Sequence, residues 1–574
     1  MADDPHKWIP RNSDFRDLHQ TIDGYGAVFS RLLLSRGLDT KDRIDDFLKP
    51  SLRKMHDPFL MPGMSAAVSR FKKALEGDES IWIFGDYDAD GIISSAMLYN
   101  FLNTLGLKPD VYIPDRTSEG YDLNRDFLES VTGKADLVIC VDCGTNSLSP
   151  REYVMDNAAS PGVIACDHHN PAPCSYNQSE RYIVVNPKLP GTVYPFMELS
   201  GAGVTFKFMT AVLRSLDAQK KKSFSKDYLT SLLDLVAVST LADLMPLNGE
   251  NRILVSYGLK RICSTSNPGL RKLMEMSLAD TSAVSEYDIG FVIAPRLNAA
   301  GRVKDAIESF RLLCCDSDDN HSIAGRLDKY NIKRQERQKE IFDEIMQKYA
   351  PAAGSYGKKI FIEYSDSWEE GMLGIVASDM VKVLNMPVIL FRERNGLLKG
   401  SGRSIREFSL HRSLDKTKDL FKRFGGHDLA CGITMELKNF DKFLHRMNKM
   451  AGEVLTDEDL LKKFIYDIEI SFDEIDDSLM RDIDRLRPFG MGNPSPSFVT
   501  RGCMIEGVKR LKQGLHAKVF LKRDSMAMDG ILFNIGRDRD ALLHAGNTVD
   551  ILYDISINSW MGRRSIQLRI RDLF

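Results

Sequence analysis

The sequence predicts a multidomain α/β protein: a doubly wound parallel-sheet domain, a connecting helix, a smaller α/β domain and, last, a β-barrel of the OB-fold type. Three observations carry this reading. At 574 residues the chain exceeds what a single core can fill, so several domains are expected. Short Val/Ile/Leu-rich runs recur, and each is followed by acidic or acid-histidine residues: IWIFGDYDADG (81–91), ADLVICVDCGTN (135–146), GVIACDHHN (162–170) and VAVSTLADLMPL (236–247). Beyond residue 462 the pattern changes to short segments that alternate apolar and polar residues.

In chain order, FLKPSLRKMHDPFLMPGM (47–64) is punctuated by proline and assigned to a packing segment, residues 1–74, lying on the first domain. The four apolar runs of the first domain, 75–320, read as buried parallel strands. After the first, Gly91 allows a sharp turn into GIISSAMLYNFL, a helical pattern. A charged stretch with Leu327, Ile341 and Ile345 predicts a solvated connecting helix within 321–354. Residues 355–455 hold two strand runs, KKIFIEY and PVILFRE, a helix from GIVASDMVKVL, and the glycine-rich LKGSGRS and FGGHDLACG. Glycines there are expected to let backbone approach a phosphate, with Arg403 as a bidentate donor. Residues 462–574 offer about five short strands and one helix, DDSLMRDIDRLRPF, the composition of an OB barrel.

In open parallel sheets ligands gather beyond the carboxyl ends of the strands, so the four clusters should converge. Asp86, Asp88, Asp90, Asp142, Asp167 and Asp243 would then repel one another unless protonated or bridged by a cation. Carboxylates with one or two imidazoles suit Mn2+ or Mg2+ rather than tetrahedral zinc. So many ligands suggest two ions sharing one Asp. Asp142 is the natural bridge, as the one acid of VDCGT, the cluster that lies between the others. Asp88 and Asp90, two apart, point to one side if strand geometry persists, and His168 and His169 point opposite ways.

DYDADG, VDCGT, DHH and LADLMPL resemble the four motifs of the DHH phosphoesterase superfamily. LSGAGVTFK (199–207), APRLNAAGRV (294–303), GIVAS (374–378), LKGSGRS (398–404), FGGHDLACG (424–432) and PFGMGNPSPSF (488–498) narrow the resemblance to its RecJ exonuclease family, from about residue 45 to the end. The resemblance implies a single-stranded-DNA-specific 5′→3′ exonuclease acting in DNA repair and recombination. It makes Asp88, Asp90, Asp142, His168 and Asp243 metal ligands with Asp86 beside them, and turns His169 to the scissile phosphate. Residues 355–455 become the DHHA1 domain that closes over the metal site. Ser401 and Arg403, with Arg296 or Arg302 across the cleft, are expected to hold the terminal 5′-phosphate, and His427 to bind DNA, with Lys509, His516 and Lys518 lining a single-strand groove on the barrel. Phe520, Phe533 and Trp560 are possible stacking platforms, ranked lower because a Phe at strand spacing usually belongs to a core.

Two stretches depart from the family pattern: WEEGMLGIVASD has Glu369 for His and Asp379 for Arg, and FGGHDLACG has Cys431 for Ala. The net charge of −3 argues against a protein that merely coats DNA, while basic residues concentrate after residue 500. Nine scattered cysteines, including the CxxC of Cys140 and Cys143, are expected to be free thiols rather than zinc ligands. With no apolar run long enough to span a bilayer, a cytoplasmic monomer is expected, using a helicase and a single-strand-binding protein to supply unpaired ends. Two other classes share the motifs: a phosphodiesterase of cyclic dinucleotides or short oligonucleotides, and a non-catalytic nucleic-acid-binding scaffold.

Overall fold

The computed structural model describes residues 6–12, 21–116, 119–120, 122–172, 179–314, 319–349, 358–560 and 563–574. The chain divides into two compact units, residues 52–460 and residues 1–51 with 461–574.

The larger unit opens on a five-stranded, all-parallel sheet in the order Asp110–Tyr112, Ile81–Gly85, Leu137–Val141, Gly162–Cys166, Tyr182–Val185. Alternate residues go to opposite faces. Ile81, Ile83, Leu137, Ile139, Ile164 and Ile183 join the core under helices Met64–Glu76, Ala89–Thr104 and Gly201–Ser215. Phe84, Val138, Cys140, Val163 and Ala165 face Phe127, Leu128 and Val154 of helices Arg125–Val131 and Leu148–Asp156. Both faces are covered, which is why the strands are apolar throughout. The chain order reverses between Ile81–Gly85 and Leu137–Val141, and a crevice opens beyond the carboxyl ends of strands flanking such a reversal.

The fourth apolar run is not a strand. Leu233–Ala242 is a helix buried all round, with Asp243 at its C-cap. A segment with no solvent-facing side has no periodicity to read, so an apolar run of this length fits either element.

The connecting helix is Asn320–Tyr349, and residues 350–357 lie outside those described. It is not simply solvated. Ile323, Ala324 and Leu327 enter the core of the first domain, and Ile341 and Ile345 pack with Trp368, Met372 and Val376 of the next. One helix therefore joins two cores. The second α/β domain has a five-stranded sheet ordered Phe421–His427, Ala430–Glu436, Leu397–Arg403, Val388–Arg394, Phe361–Ser365, with helices Glu370–Leu384 and Phe440–Val454. Its two unusual acids fasten the helices together. Glu369 accepts from Arg337 Nε at 2.6 Å, and Asp379 accepts from Gln338 Nε2 and pairs with Lys382.

The smaller unit corrects the assignment of the N-terminal segment. His6–Pro10 pairs in parallel with Lys462–Tyr466, and Phe29, Leu32, Leu33 and Ile44 share a core with Phe498, Val519, Ile551 and Leu568. Residues 1–51 thus belong with the barrel, and only the stretch from residue 52 packs on the first domain, through Met61 and Met64. Amphipathic helices long separated in sequence from their partners leave no local signal of which core they complete. The barrel closes through Phe498–Leu511, His516–Arg523, Met526–Leu532, Arg563–Leu573 and Thr548–Trp560, the last pairing back to the first. The helix Asp477–Arg485 lies where the sequence places one. Among the described residues, no helix is long and apolar enough to cross a membrane, and Cys140 and Cys143 are free thiols.

Candidate metal centre

The acidic loops leave the carboxyl ends of adjacent strands and meet. Asp86, Asp88 and Asp142 each present an oxygen within 4.8 Å of the others, and Asp90, His168 and Asp243 form a second group of the same kind. Asp142 belongs also to a third, with His168 and His169. His168 Nε2 lies 3.1 Å from Asp142 Oδ1, 3.7 Å from Asp243 Oδ2 and 3.9 Å from Asp90 Oδ2. All six residues predicted for metal therefore come together, although Asp243 arrives from a helix end.

Backbone geometry fixes several of the carboxylates. Strand geometry does not persist through DYDADG. Asp88 instead caps the helix Ala89–Thr104, its Oδ1 accepting from Asp90 N and Gly91 N, while Asp90 sits inside the first turn. The two acids consequently serve different groups. Asp90 is aimed by the start of another helix: Gly201 N and Ala202 N donate to it at 2.7 and 2.8 Å, and Ser239 Oγ at 2.6 Å. This gives LSGAGVTFK a role that its residue types alone did not state. A side chain at Gly201 would put its Cβ 2.5 Å from Asp142 Oδ1, so glycine is needed there. Asp142 has φ +62°, a left-handed conformation that costs about 1–3 kcal/mol in a non-glycine residue and is usually retained at functional sites.

The two histidines do not diverge as an extended segment would require. Their ring centroids are 4.7 Å apart, because the strand ends at Cys166 and the alternation ends with it. Asp167, fully buried, accepts from Thr145 N, His168 N, His169 N and His169 Nδ1, the last at 2.8 Å. Burial would raise the Asp167 carboxyl, but the His169 charge and these hydrogen bonds hold it well below the carboxylate range. Burial would likewise lower His169, yet Asp167 carries it up to about 10. His168 is pushed down to about 3 by burial and by the neighbouring His169 charge, leaving a neutral ring, the form that ligates metals. Asp167 acts through His169 as its positioning residue.

The donor set fits hard divalent cations. Burial, then mutual repulsion, drives Asp142 and Asp243 well above the usual carboxylate range and Asp90 to about 6. Among the described residues, Asp142 Oδ1 is buried without a hydrogen-bond partner. Carboxylates so desolvated call for cations to balance them, and oxygen donors with one imidazole match Mn2+ or Mg2+.

A row of arginines adjoins the acids. Arg302, beside Arg116 and Arg334, is lowered to about 9, by burial first and then by those like charges. Arg116 lies over the Tyr87 ring at 4.8 Å and acts electrostatically on both Asp86 and Arg403. Neither Arg116 nor Arg334 stood out in the sequence, since single arginines outside motifs carry no signal. Arg302 Nη1 donates to the Gly371 carbonyl at 3.0 Å. Arg403 donates to Ser401 Oγ and the Gly402 carbonyl, and Gly374 leaves room for it, since a Cβ there would lie 2.9 Å from its Nη2. Arg296 is instead engaged by Asp328 at 2.8 Å. His427, on the edge strand Phe421–His427, is lowered by burial and by the charge of His169.

The glycines of LKGSGRS and FGGHDLACG differ in their surroundings. A Cβ at Gly400 would reach within 2.2 Å of the Phe391 ring, and one at Gly402 within 2.6 Å of Cys431 Sγ. Both serve packing. Gly425 has open space around it.

On the barrel, Lys509 is exposed opposite Lys518, which pairs with Asp529 at 2.7 Å. Phe520 and Phe533 are exposed, not core, with Lys518 over the first ring, and Arg569 and His516 beside the second. The side chain of Trp560 lies outside the described residues.

Two acid groups at the switch point of a parallel sheet, under an arginine row, define a metal-dependent phosphoesterase class of site. Comparison with known proteins agrees: the model of the DHH family N-terminal domain matches residues 80–240, the DHHA1 domain 357–453 and the RecJ OB domain 466–572. The single-stranded-DNA-specific exonuclease RecJ of Bacillus subtilis is 34% identical over 95% of this chain and 67% of its own. That of Escherichia coli is 30% identical over 95% and 96%. The crystal structure of RecJ from Thermus thermophilus in complex with Mn2+ superposes with a TM-score of 0.81 at 26% identity, covering 100% of this chain and 80% of that one. The chain belongs to the RecJ family of exonucleases.

Proposed function

We propose that this protein is a metal-dependent exonuclease that removes mononucleotides 5′→3′ from single-stranded DNA during repair and recombination, with two Mn2+ or Mg2+ ions. The observation that carries it is the pair of acid groups meeting at Asp142, within a chain whose relatives are single-stranded-DNA-specific exonucleases. RecJ structures hold Mn2+ or Mg2+.

Asp86 and Asp88 would hold one ion, Asp90, His168 and Asp243 the other, and Asp142 both. Ions so held would make water a stronger acid and offset charge on the phosphate. The protein's own residues do the rest. Asp167 holds His169 protonated and oriented, so that Nε2–H can face an oxygen of the scissile phosphate. Arg302, Ser401 and Arg403 bind the terminal 5′-phosphate, whose dianion suits a fixed guanidinium fork. Arg296 and His427 contact the adjoining backbone. Lys509, His516 and Lys518 grip the strand on the barrel, with Phe520 and Phe533 for base stacking. A helicase and a single-strand-binding protein would prepare the substrate for a cytoplasmic monomer.

End-labelled single and double strands, DNA and RNA, digested with Mn2+ and with Mg2+, test this reading. Label released first from 5′ ends of single-stranded DNA supports it. Cleavage confined to dinucleotides, or no cleavage, overturns it.

A further inference from the structure

The helix that carries Arg302 also carries, at its far end, a pair of aromatic rings that the site does not use. Tyr287 and Phe291 stack with centroids 4.7 Å apart and planes 25° apart, and they are 62% and 67% exposed. Large aromatics so exposed are rarely left without a partner. Their footing is rigid. Ser285 and Asp288 form a capping box just before a π-turn, Ile289–Ile293, that buries Ile289 and Ile293 completely and turns Phe291 outward. Such turns inside helices often accompany function.

This footing is continuous with the metal loop. The helix Ala294–Val303 follows the π-turn directly, Asn298 accepts from Ala89 N at 2.8 Å, and a Cβ at Gly301 would lie 3.1 Å from the Tyr87 carbonyl oxygen. From Phe291 to Arg302 is eleven residues, about 16 Å at 1.5 Å per residue. Between them, on the same helix as Arg302, lies Arg296, paired with Asp328 at 2.8 Å, and Arg334 interacts electrostatically with both arginines. Cations gathered near one helix suit a polyanion, and flat exposed rings on the preceding turn suit bases, every one of which has a π-face.

We propose that Tyr287 and Phe291 form a stacking platform for a base of the single-stranded substrate, a few nucleotides inward from the end held near Arg302. The inference rests on the exonuclease reading. The platform would hold the strand in line between cuts without selecting sequence.

The test uses the full-length chain with Asp142→Ala to prevent cleavage, and oligonucleotides carrying the fluorescent base 2-aminopurine at successive positions. Quenching is expected at one or two internal positions, and Tyr287→Ala with Phe291→Ala should abolish it there and weaken binding of a long strand about fivefold or more. Phe291→Trp should restore both. In the cleaving enzyme the rise in KM should grow with strand length and level off once the strand passes the pair. Quenching that persists in the double variant, or equal weakening at every length, overturns the platform. Failure of the unsubstituted protein to cut single-stranded DNA overturns the exonuclease reading instead, so the two are separable.

Discussion

The metal centre and the barrel surface both carry the charges that the proposed function assigns to DNA, but they are built in opposite ways. At the centre the acids are buried or half-buried, and several are aimed by backbone: Asp90 by Gly201 N and Ala202 N, Asp88 by its own helix, Asp167 by three amides. On the barrel the cations stand at the ends of long side chains, several paired with a local carboxylate, as Lys518 with Asp529, Lys522 with Glu506 and Arg501 with Glu469 and Asp550. Phosphodiester hydrolysis needs atoms fixed before the substrate arrives, and a sliding grip needs contacts that are individually weak. Substitutions should therefore be severe and indivisible in the first region, and graded and salt-dependent in the second.

The largest effect is expected of Asp142→Ala. Losing the residue common to both groups should cut hydrolysis to about 1% or less, with circular dichroism unchanged. Substantial remaining activity would remove the shared-ligand reading and blur the contrast.

Asp167→Asn comes next. It touches none of the proposed metal ligands' oxygens, yet should cost about 10²-fold in kcat, because the His169 proton and orientation depend on it. His169 is raised to about 10 by Asp167 against burial, so the neutralised partner should let it lose its proton at lower pH. The alkaline limb of the rate profile should move down in pH. A kcat loss with no such move would make Asp167 merely structural.

Metal removal probes the same centre through stability. Asp90 is raised to about 6 in the folded protein, above its unfolded value, so the ion-free fold is favoured below the unfolded pKa and loses that stability as pH rises through about 6. Chelated protein should melt lower at pH 7.5 than at pH 5.5, and the gain from added Mn2+ should grow with pH because ligation displaces protons. Calorimetry at several pH values checks it. A gain independent of pH would mean that the carboxylates are ionised without the ion.

The smallest single effects belong to the barrel. Lys518→Ala should change cleavage of long strands by roughly twofold, each exposed contact being worth under about 1 kcal/mol. Removing the whole unit sharpens the test, and because residues 1–51 share its core the clean fragment is 52–460 rather than a C-terminal deletion. This fragment should cut short oligonucleotides but bind long ones weakly, with a flatter salt dependence. An unchanged salt slope would show that the barrel does not grip DNA.

The acidic clusters, together with the family resemblance of their motifs, carried the metal chemistry, because DYDADG, VDCGT and DHH follow strands whose alternation and length are local properties. The same holds for the barrel, where turns and period-two patterns lie within a few residues of one another. What escaped depends on contacts between residues far apart. Leu233–Ala242 is buried on every side, so its sequence could not say helix, and only packing put Asp243 beside His168. The exposure of Phe520 and Phe533, the packing role of Gly400 and Gly402, and Arg116 beside Asp86 are likewise tertiary facts. So is the partnership of residues 1–51 with a barrel more than four hundred residues away. The sequence by itself determined which atoms can bind metal and which segments fold locally. Tertiary structure decided which face each segment shows and which acids share an ion, because burial and distance are properties of pairs of residues that no single stretch contains.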